Sequence, residues 1–259
     1  MRGDKVSHLF FALTMIAIGV VGLIGGGFAP IWQPVPESAP ARELLAYLST
    51  VVSLGCGAGL LFRRTRVPAA LILFIFLAVW TALFKVPFII RAPLEEVSYQ
   101  SNGENAVLIA AAWVLFAEFA TGRAFPAGAL SVRIAYILYG LALIAFGLSH
   151  FVYLNMTAPL VPAWLPGPVF WADATGAIYL ACGFVVLVGS AKLGSIAAAI
   201  QITLITLLVW GPMVIAGNLS AMHWQETVVS VALTAAAWVL ASAPPPKTVA
   251  FRVPFPRRR

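Results

Sequence analysis

Apolar residues in this chain fall in long unbroken blocks separated by short polar stretches, and they do not alternate with polar ones. Eight blocks stand out: Leu9 to Phe28, Leu44 to Phe62, Val67 to Ile90, Asn105 to Ala120, Ile134 to Tyr153, Ala174 to Ser190, Leu193 to Ala216 and Thr227 to Ala241. A helix needs roughly 20 apolar residues to cross a hydrocarbon core of about 30 Å, and the blocks are near that length. Strands in lipid would need alternating faces, so every pass is expected to be a helix and the fold class all-α, a polytopic transmembrane bundle. The fourth block is short and ends at Glu118, and the third holds Lys85 and Pro87 in its last turn, so both are expected to be tilted or broken.

The pattern occurs twice. Ala110-Ala111-Ala112-Trp113-Val114-Leu115 returns as Ala235-Ala236-Ala237-Trp238-Val239-Leu240, an offset of 238 − 113 = 125. Leu54-Gly55-Cys56-Gly57 meets Leu180-Ala181-Cys182-Gly183 at 182 − 56 = 126. Two motifs that keep nearly one register are hard to obtain by chance, even in an Ala- and Leu-rich chain. The organisation expected is a four-helix repeat over 1–122, a second over 123–243, and a basic tail over 244–259. Because each repeat has an even number of passes, both enter the membrane in the same sense, as parallel repeats.

Composition agrees: 61% of residues are hydrophobic, 10% are charged and mean hydropathy is +0.96. Too little polar surface is available to coat a water-facing globule, so the solvent is lipid. The charges then orient the chain. Arg2, Lys5, Arg63, Arg64, Arg66, Arg123, Arg133, Lys192, Lys247, Arg252, Arg257, Arg258 and Arg259 fall on one side, against Arg42, Lys85 and Arg91 on the other. Acids run the opposite way, with Asp4 and Glu118 facing Glu37, Glu43, Glu95, Glu96, Glu104, Asp173 and Glu226. The positive-inside rule places both termini in the cytoplasm. Arg2 and Lys5 before an apolar run resemble a signal peptide, but the run is longer than the usual apolar region and the repeat needs it as a first pass. The net charge of +7 is spread over inner loops, which fits anionic head groups better than nucleic acid.

Gly147-Leu148-Ser149-His150-Phe151, the run Leu160 to Trp171 and Ala174-Thr175-Gly176 resemble the DoxX-like family of small bacterial membrane proteins. The resemblance covers most of Ile134 to Ala216 and, more loosely, the first half, through Ala41 to Ser49 and Gly103-Glu104-Asn105. It implies a bacterial inner-membrane protein made of two four-pass units in tandem. Founding members are subunits of a thiosulfate:quinone oxidoreductase and some relatives are linked to thiol or oxidant stress, so a quinone or a partner oxidoreductase is implied as partner. Relatives often place histidine where Tyr179 and Trp210 stand here, and chemistry that needs those histidines is not expected of this chain.

The residues themselves offer little redox equipment. His8 lies at one end of the first pass, while His150 and His223 lie towards the opposite side, so bis-histidine haem is not expected. Two cysteines without a C-x-x-C motif cannot supply an iron–sulfur cluster or a tetrahedral zinc site, and no Gly-x-x-x-x-Gly-Lys stretch is present. No cofactor and no metal is therefore expected. Cys56 and Cys182 read as inert buried thiols. Gly55 with Gly59, and Gly22 with Gly26, read as small-residue contacts between helices. No charge lies near a midplane, which argues against an ion pump, and Gln201 reads as an interhelical hydrogen-bond donor.

The candidate ligand site lies in the outer half. Lys85 ends the third pass and Glu104 with Asn105 opens the fourth, so the Arg91 to Gly103 loop can bring the opposite charges together. In the second half those positions fall at Gly211 and at Val229-Ser230, so the pair is not a requirement of the fold. With His150, these residues would furnish the polar groups of an otherwise apolar pocket. The alternatives are an ion pair that only fixes the loop, and a histidine that caps its own helix. Trp164, Trp171 and Trp224 read as a head-group belt. Two functions remain open: an accessory subunit of a quinone- or thiol-linked redox system, and a small-molecule carrier or scaffold without redox activity. Reporter fusions are expected to place Arg64, Arg123 and Arg259 inside the cell and Glu95 and Pro162 outside; an external Arg123 overturns this topology.

Overall fold

The structure, a computed structural model, describes residues 6–120, 125–188, 190–217 and 220–244. The expected boundary between repeats, the charges Arg2, Asp4, Lys5 and Arg123, and the tail from Lys247 to Arg259 lie outside the described residues. Among those described there are only helices and connecting segments, and eight helices are long and apolar enough to cross a membrane. They are α1 (Val6–Gly25), α2 (Arg42–Leu61), α3 (Arg66–Arg91), α4 (Glu96–Ala120), α5 (Ala129–Val152), α6 (Pro168–Val188), α7 (Ala191–Ala216) and α8 (Ala221–Ser242). The protein is a multi-pass helical membrane bundle whose exposed apolar side chains face lipid.

Each helix packs on the next from α1 to α8, and α8 closes the ring on α1. One contact crosses the ring, between α4 and α8. The order of neighbours thus repeats after four helices, and the two helices that carry the Ala-Ala-Ala-Trp-Val-Leu motif are the ones that meet in the middle. Ala110, Ala111, Ala112, Ala235, Ala236 and Ala237 are all fully buried. In the most apolar 18-residue window, 72% of α4 and 56% of α8 is buried, against 33% for α2, α3, α6 and α7. Alanine suits this place because lipid gives helices no hydrophobic reason to associate, and short side chains let backbones approach until dispersion holds them.

Glycine does the same work between neighbours. A Cβ on Gly57 would stand 2.9 Å from the Ala12 carbonyl oxygen, and one on Gly183 would stand 2.7 Å from that of Gly140. Gly22 and Gly59 are packed in this way, against Thr50 and Ala69. Gly55 and Gly26 are not, which corrects half of the expectation drawn from spacing. A Cβ on either would meet nothing within 4 Å, and Gly26, at φ +62°, follows the last residue of α1.

Two further expectations are corrected. α3 is not broken at Pro87: a π-turn over Thr81–Lys85 widens the helix just before it, with the Val86 amide bonding to the Thr81 carbonyl. Proline has no N–H and crowds the carbonyl four residues back, and the wider turn absorbs that conflict within a continuous helix. The same turn recurs over Thr206–Trp210 ahead of Pro212, with the Gly211 amide on Thr206. At this offset of 206 − 81 = 125, Lys85 corresponds to Trp210, not Gly211. α4 is also longer than expected. It begins at Glu96, so the polar run from Ser98 to Glu104 is helix and the α3–α4 connection shrinks to residues 92–95. Hydropathy undercounts this turn-rich stretch because its polar groups are satisfied by α3.

At the end that carries the basic loops, side chains cap the free carbonyls of α8's last turn. The Tyr136 hydroxyl donates to Leu240 O at 2.7 Å, and the Lys192 ammonium donates to Ala241 O. At the opposite, acidic end, the α1–α2 connection turns inward as a 3-10 turn over Pro30–Trp32. Trp32, with no exposed surface, donates from Nε1 to Ser53 Oγ at 3.0 Å, and its carbonyl accepts from Trp80 Nε1 at 2.9 Å. Its ring lies 5.3 Å from those of Phe76 and Trp80, making an aromatic plug in the first half.

Gly183→Val is expected to destabilise the bundle by about 1–3 kcal/mol, because its side chain must push the backbone of α5 away. Its neighbour Cys182→Ala, like Cys56→Ala, is expected to cost only about 1 kcal/mol. Thermal unfolding in detergent measures both, and a Gly183→Val variant as stable as the parent contradicts the close α5–α6 contact.

Candidate functional site

The acidic ends of α3, α4 and α8 assemble a polar group inside an apolar bundle. Lys85 comes from the π-turn and is 1% exposed, an unusual place for an ammonium. Its Nζ donates to Ser101 O at 3.0 Å and lies 3.7 Å from Glu104 Oε2. In return, Asn102 Nδ2 donates to Lys85 O at 3.0 Å and to Ser98 O at 2.8 Å. These bonds account for the polar first turns of α4: they clamp α4 to the widened segment of α3. The Glu104 side chain keeps 17% of its surface exposed, so the pair has a hidden cation and an anion that reaches the edge.

One turn deeper, Asn105 has no exposed surface. Its Nδ2 donates to Thr81 Oγ1 at 2.9 Å, while its Oδ1 is buried without a partner. An amide oxygen in that state loses its hydration for nothing, a penalty of about 1–3 kcal/mol. The second half repeats the contact in neutral form. Thr206 Oγ1 is 2.7 Å from Ser230 Oγ and 2.8 Å from Thr234 Oγ1, the positions of Thr81 and Asn105 shifted by 230 − 105 = 125. Threonine against a polar partner at the π-turn is therefore common to both halves, and the charges of Lys85 and Glu104 are confined to one.

The structure brings together Lys85, Glu104 and Asn105 and leaves His150 apart from them. His150 Nδ1 bonds to Phe146 O at 2.7 Å within α5, and its ring lies 5.5 Å from that of Tyr179 on α6. Among the described residues, no hydrogen bond, ion pair or ring contact joins it to the other three. The reason is the face of α5 it occupies. Phe146, one turn earlier, lies between Gly103 of α4 and Tyr179, its ring 5.9 Å from that tyrosine. His150 belongs to the α5–α6 side of the bundle, and it bonds a carbonyl one turn back within α5, six residues before the helix ends at Val152, so it does not cap the last turn either.

Two acids belong to this end as well. Glu226 on α8 is close enough to Glu104 for the two carboxylates to repel each other. Hydropathy alone starts this helix at Thr227 and leaves Glu226 in a loop, whereas the helix begins at Ala221 and carries Glu226 within it. Glu96, in the first turn of α4, has both carboxylate oxygens buried without a hydrogen-bond partner and faces the positive end of the helix dipole. The group as a whole can hold a polar or cationic moiety. It contains no nucleophile activated by a base. Elsewhere, Gln201 Nε2 donates to Thr175 O at 2.8 Å, the interhelical bond expected of it. Cys56 and Cys182 are both free and buried, on α2 and α6, helices that are not packed together in the ring.

No family model, curated protein or solved structure matches the chain.

Removing one member of the buried pair leaves the other charge uncompensated, so Lys85→Met and Glu104→Gln are each expected to cost about 3–5 kcal/mol. The double variant is expected to recover most of that loss. Thermal unfolding in lipid nanodiscs gives the cycle, and additive losses would show that the two charges do not interact.

Proposed function

We propose that this chain is a DoxX-like protein of the bacterial inner membrane, built as two tandem four-helix units with both termini in the cytoplasm. Its role in this reading is to bind a small molecule at the acidic end of the bundle, as a carrier or binding component that brings no cofactor of its own. The observation that carries the reading is the unpartnered Asn105 Oδ1, fully buried beside the Lys85–Glu104 pair. A buried acceptor left open next to a buried charge is the arrangement a ligand completes, and a structural clamp would have closed it. The absence of this charge pair from the corresponding positions, Trp210 and Val229, supports a task particular to the first half.

The surplus of acid around Lys85, from Glu104 and Glu226, favours a ligand with a cationic or hydrogen-donating group. Asn105 Oδ1 and the exposed edge of Glu104 would receive it. The redox-subunit reading attached to the resemblance gains no comparable support from the site, which offers neither a thiol pair nor a histidine among its members.

Purification in nanodiscs followed by mass spectrometry of retained small molecules tests the proposal. Retention by the parent protein, lost in both Lys85→Met and Glu104→Gln while each still runs as a folded species, is the expected result. If both variants only lower thermal stability and leave retention unchanged, the pair is a clamp and the reading fails. Recovery of a redox enzyme or a quinone in place of such a molecule would favour the accessory-subunit function.

A further inference from the structure

The α2–α3 connection, residues 62–65, is a closely bonded turn at the basic end of the bundle. The Thr65 and Arg66 amides both donate to the Phe62 carbonyl, at 3.1 and 3.0 Å, and the Thr65 hydroxyl donates to Gly59 O at 2.8 Å. Gly59 itself lies against Ala69, so the two helices already touch where the turn joins them. At the tip Arg63 and Arg64 stand exposed, and among the described residues neither has a hydrogen bond or an acid partner. Arg66, the next cation, is held over the Phe119 ring of α4 at 4.6 Å. Phe62, just before the pair, is 64% exposed, so apolar and cationic surface adjoin.

Topology asks for positive charge on this side of the membrane, but not for this pair. At the matching connection of the second half, shifted by 126 like Cys56 and Cys182, the two places are Gly189 and Ser190, and Lys192 stands where Arg66 does. Ser190 caps α7 by accepting from the Leu193 amide at 3.3 Å, and Lys192 donates to the Ala241 carbonyl. The second hairpin is therefore made without arginine, and its one cation is spent within the protein. The first carries two that the protein itself does not use.

We propose that the α2–α3 turn binds the head group of an anionic phospholipid, with Arg63 and Arg64 on its phosphate and Phe62 against the first carbons of an acyl chain. The turn joins two membrane spans, of 20 and 26 residues, so it lies at the depth of the lipid phosphates. Guanidinium suits the purpose, because its donors form a fork that matches two phosphate oxygens. Two positive charges complement a head group of net negative charge. They gain less from phosphatidylcholine, whose own ammonium offsets its phosphate. The exposed aromatic favours a lipid over a water-soluble phosphate, which would leave Phe62 unused. This turn is at the opposite end of the bundle from the Lys85 group and stands whether or not that group binds anything.

Phosphatidylglycerol is titrated into the full chain in a non-ionic detergent, native mass spectrometry resolves each lipid-bound species, and phosphatidylcholine is the reference. The first phosphatidylglycerol is expected to bind at least about tenfold more tightly than the first phosphatidylcholine. Arg63→Gln and Arg64→Gln are each expected to weaken phosphatidylglycerol by about fivefold and to leave phosphatidylcholine unchanged. Arg133→Gln removes the same charge from an exposed place on α5, which is not adjacent to α2 or α3 in the ring, and is expected to change affinity by less than about twofold. Should either turn variant unfold, the two lipids and Arg133→Gln decide. Equal affinity for the lipids, turn variants that bind as the parent does, or an equal loss in Arg133→Gln would show diffuse attraction to the whole basic end and overturn the proposal. Glycerol 3-phosphate, a phosphate ester without chains, would overturn it too by binding as tightly as phosphatidylglycerol, since the turn would then take a free anion and not a lipid.

Discussion

Lipid offers no hydrogen bonds and no hydrophobic reward for association, and the rest of this structure depends on how closely backbones approach under that constraint. The alanines of α4 and α8 and the glycines of the α1–α2 and α5–α6 contacts are where that approach is made. Once these helices are in place, the polar groups they carry have to be answered from within the protein. Trp32 answers Ser53, Tyr136 and Lys192 answer the end of α8, and Asn102 answers Lys85. Among the described residues several buried atoms are left unanswered: Asn105 Oδ1, Tyr139 Oη and Gln201 Oε1, and with them His8 Nδ1, both Glu96 oxygens and the hydroxyls of Ser131 and Ser195.

Much of the architecture was legible because membrane helices announce themselves by length and composition. The number of passes, their helical nature and the interhelical bond of Gln201 follow from the sequence in this way. What was not legible has one cause, which is that hydropathy measures fitness for lipid and several segments face protein instead. The start of α4 was placed nine residues late, at Asn105 and not Glu96, because Ser98 to Glu104 looks like a loop until α3 is there to bond it. Glu226 was lost to the same error in α8. Gly59 meets Ala69 of α3 while Gly55, on the same side by spacing, meets nothing, since spacing says which residues share a side of a helix and not how much of that side a neighbour covers.

The candidate site was legible in part. The juxtaposition of Lys85 with Glu104 and Asn105 follows from the order of the charges along two consecutive helices. Thr81 and Ser101 could not be seen as partners, because the π-turn rotates every side chain beyond it relative to an ordinary helix. His150 was assigned by depth alone, and depth does not say on which side of α5 a residue stands. Comparison of the halves proved more informative than either alone. The shared threonine contact recurs at the π-turn of both halves, and the unshared Lys85, Trp32, Tyr179 and Gln201 are where the halves differ.

The central position of α4 has a consequence for biogenesis. Its best window has a mean hydropathy of 1.4 and that of α8 only 1.2, the lowest of the eight spans, yet these two are the most enclosed by protein. When α4 leaves the ribosome, α3 is the only one of its three neighbours that exists; α5 and α8 are still to be made. A nascent chain therefore carries a weakly apolar helix with a buried lysine's carboxylate partner on it before most of its shelter has been synthesised. Such a helix gains its shelter only as α5 and then α8 arrive, so the place of the fourth span in the bundle depends on helices made after it.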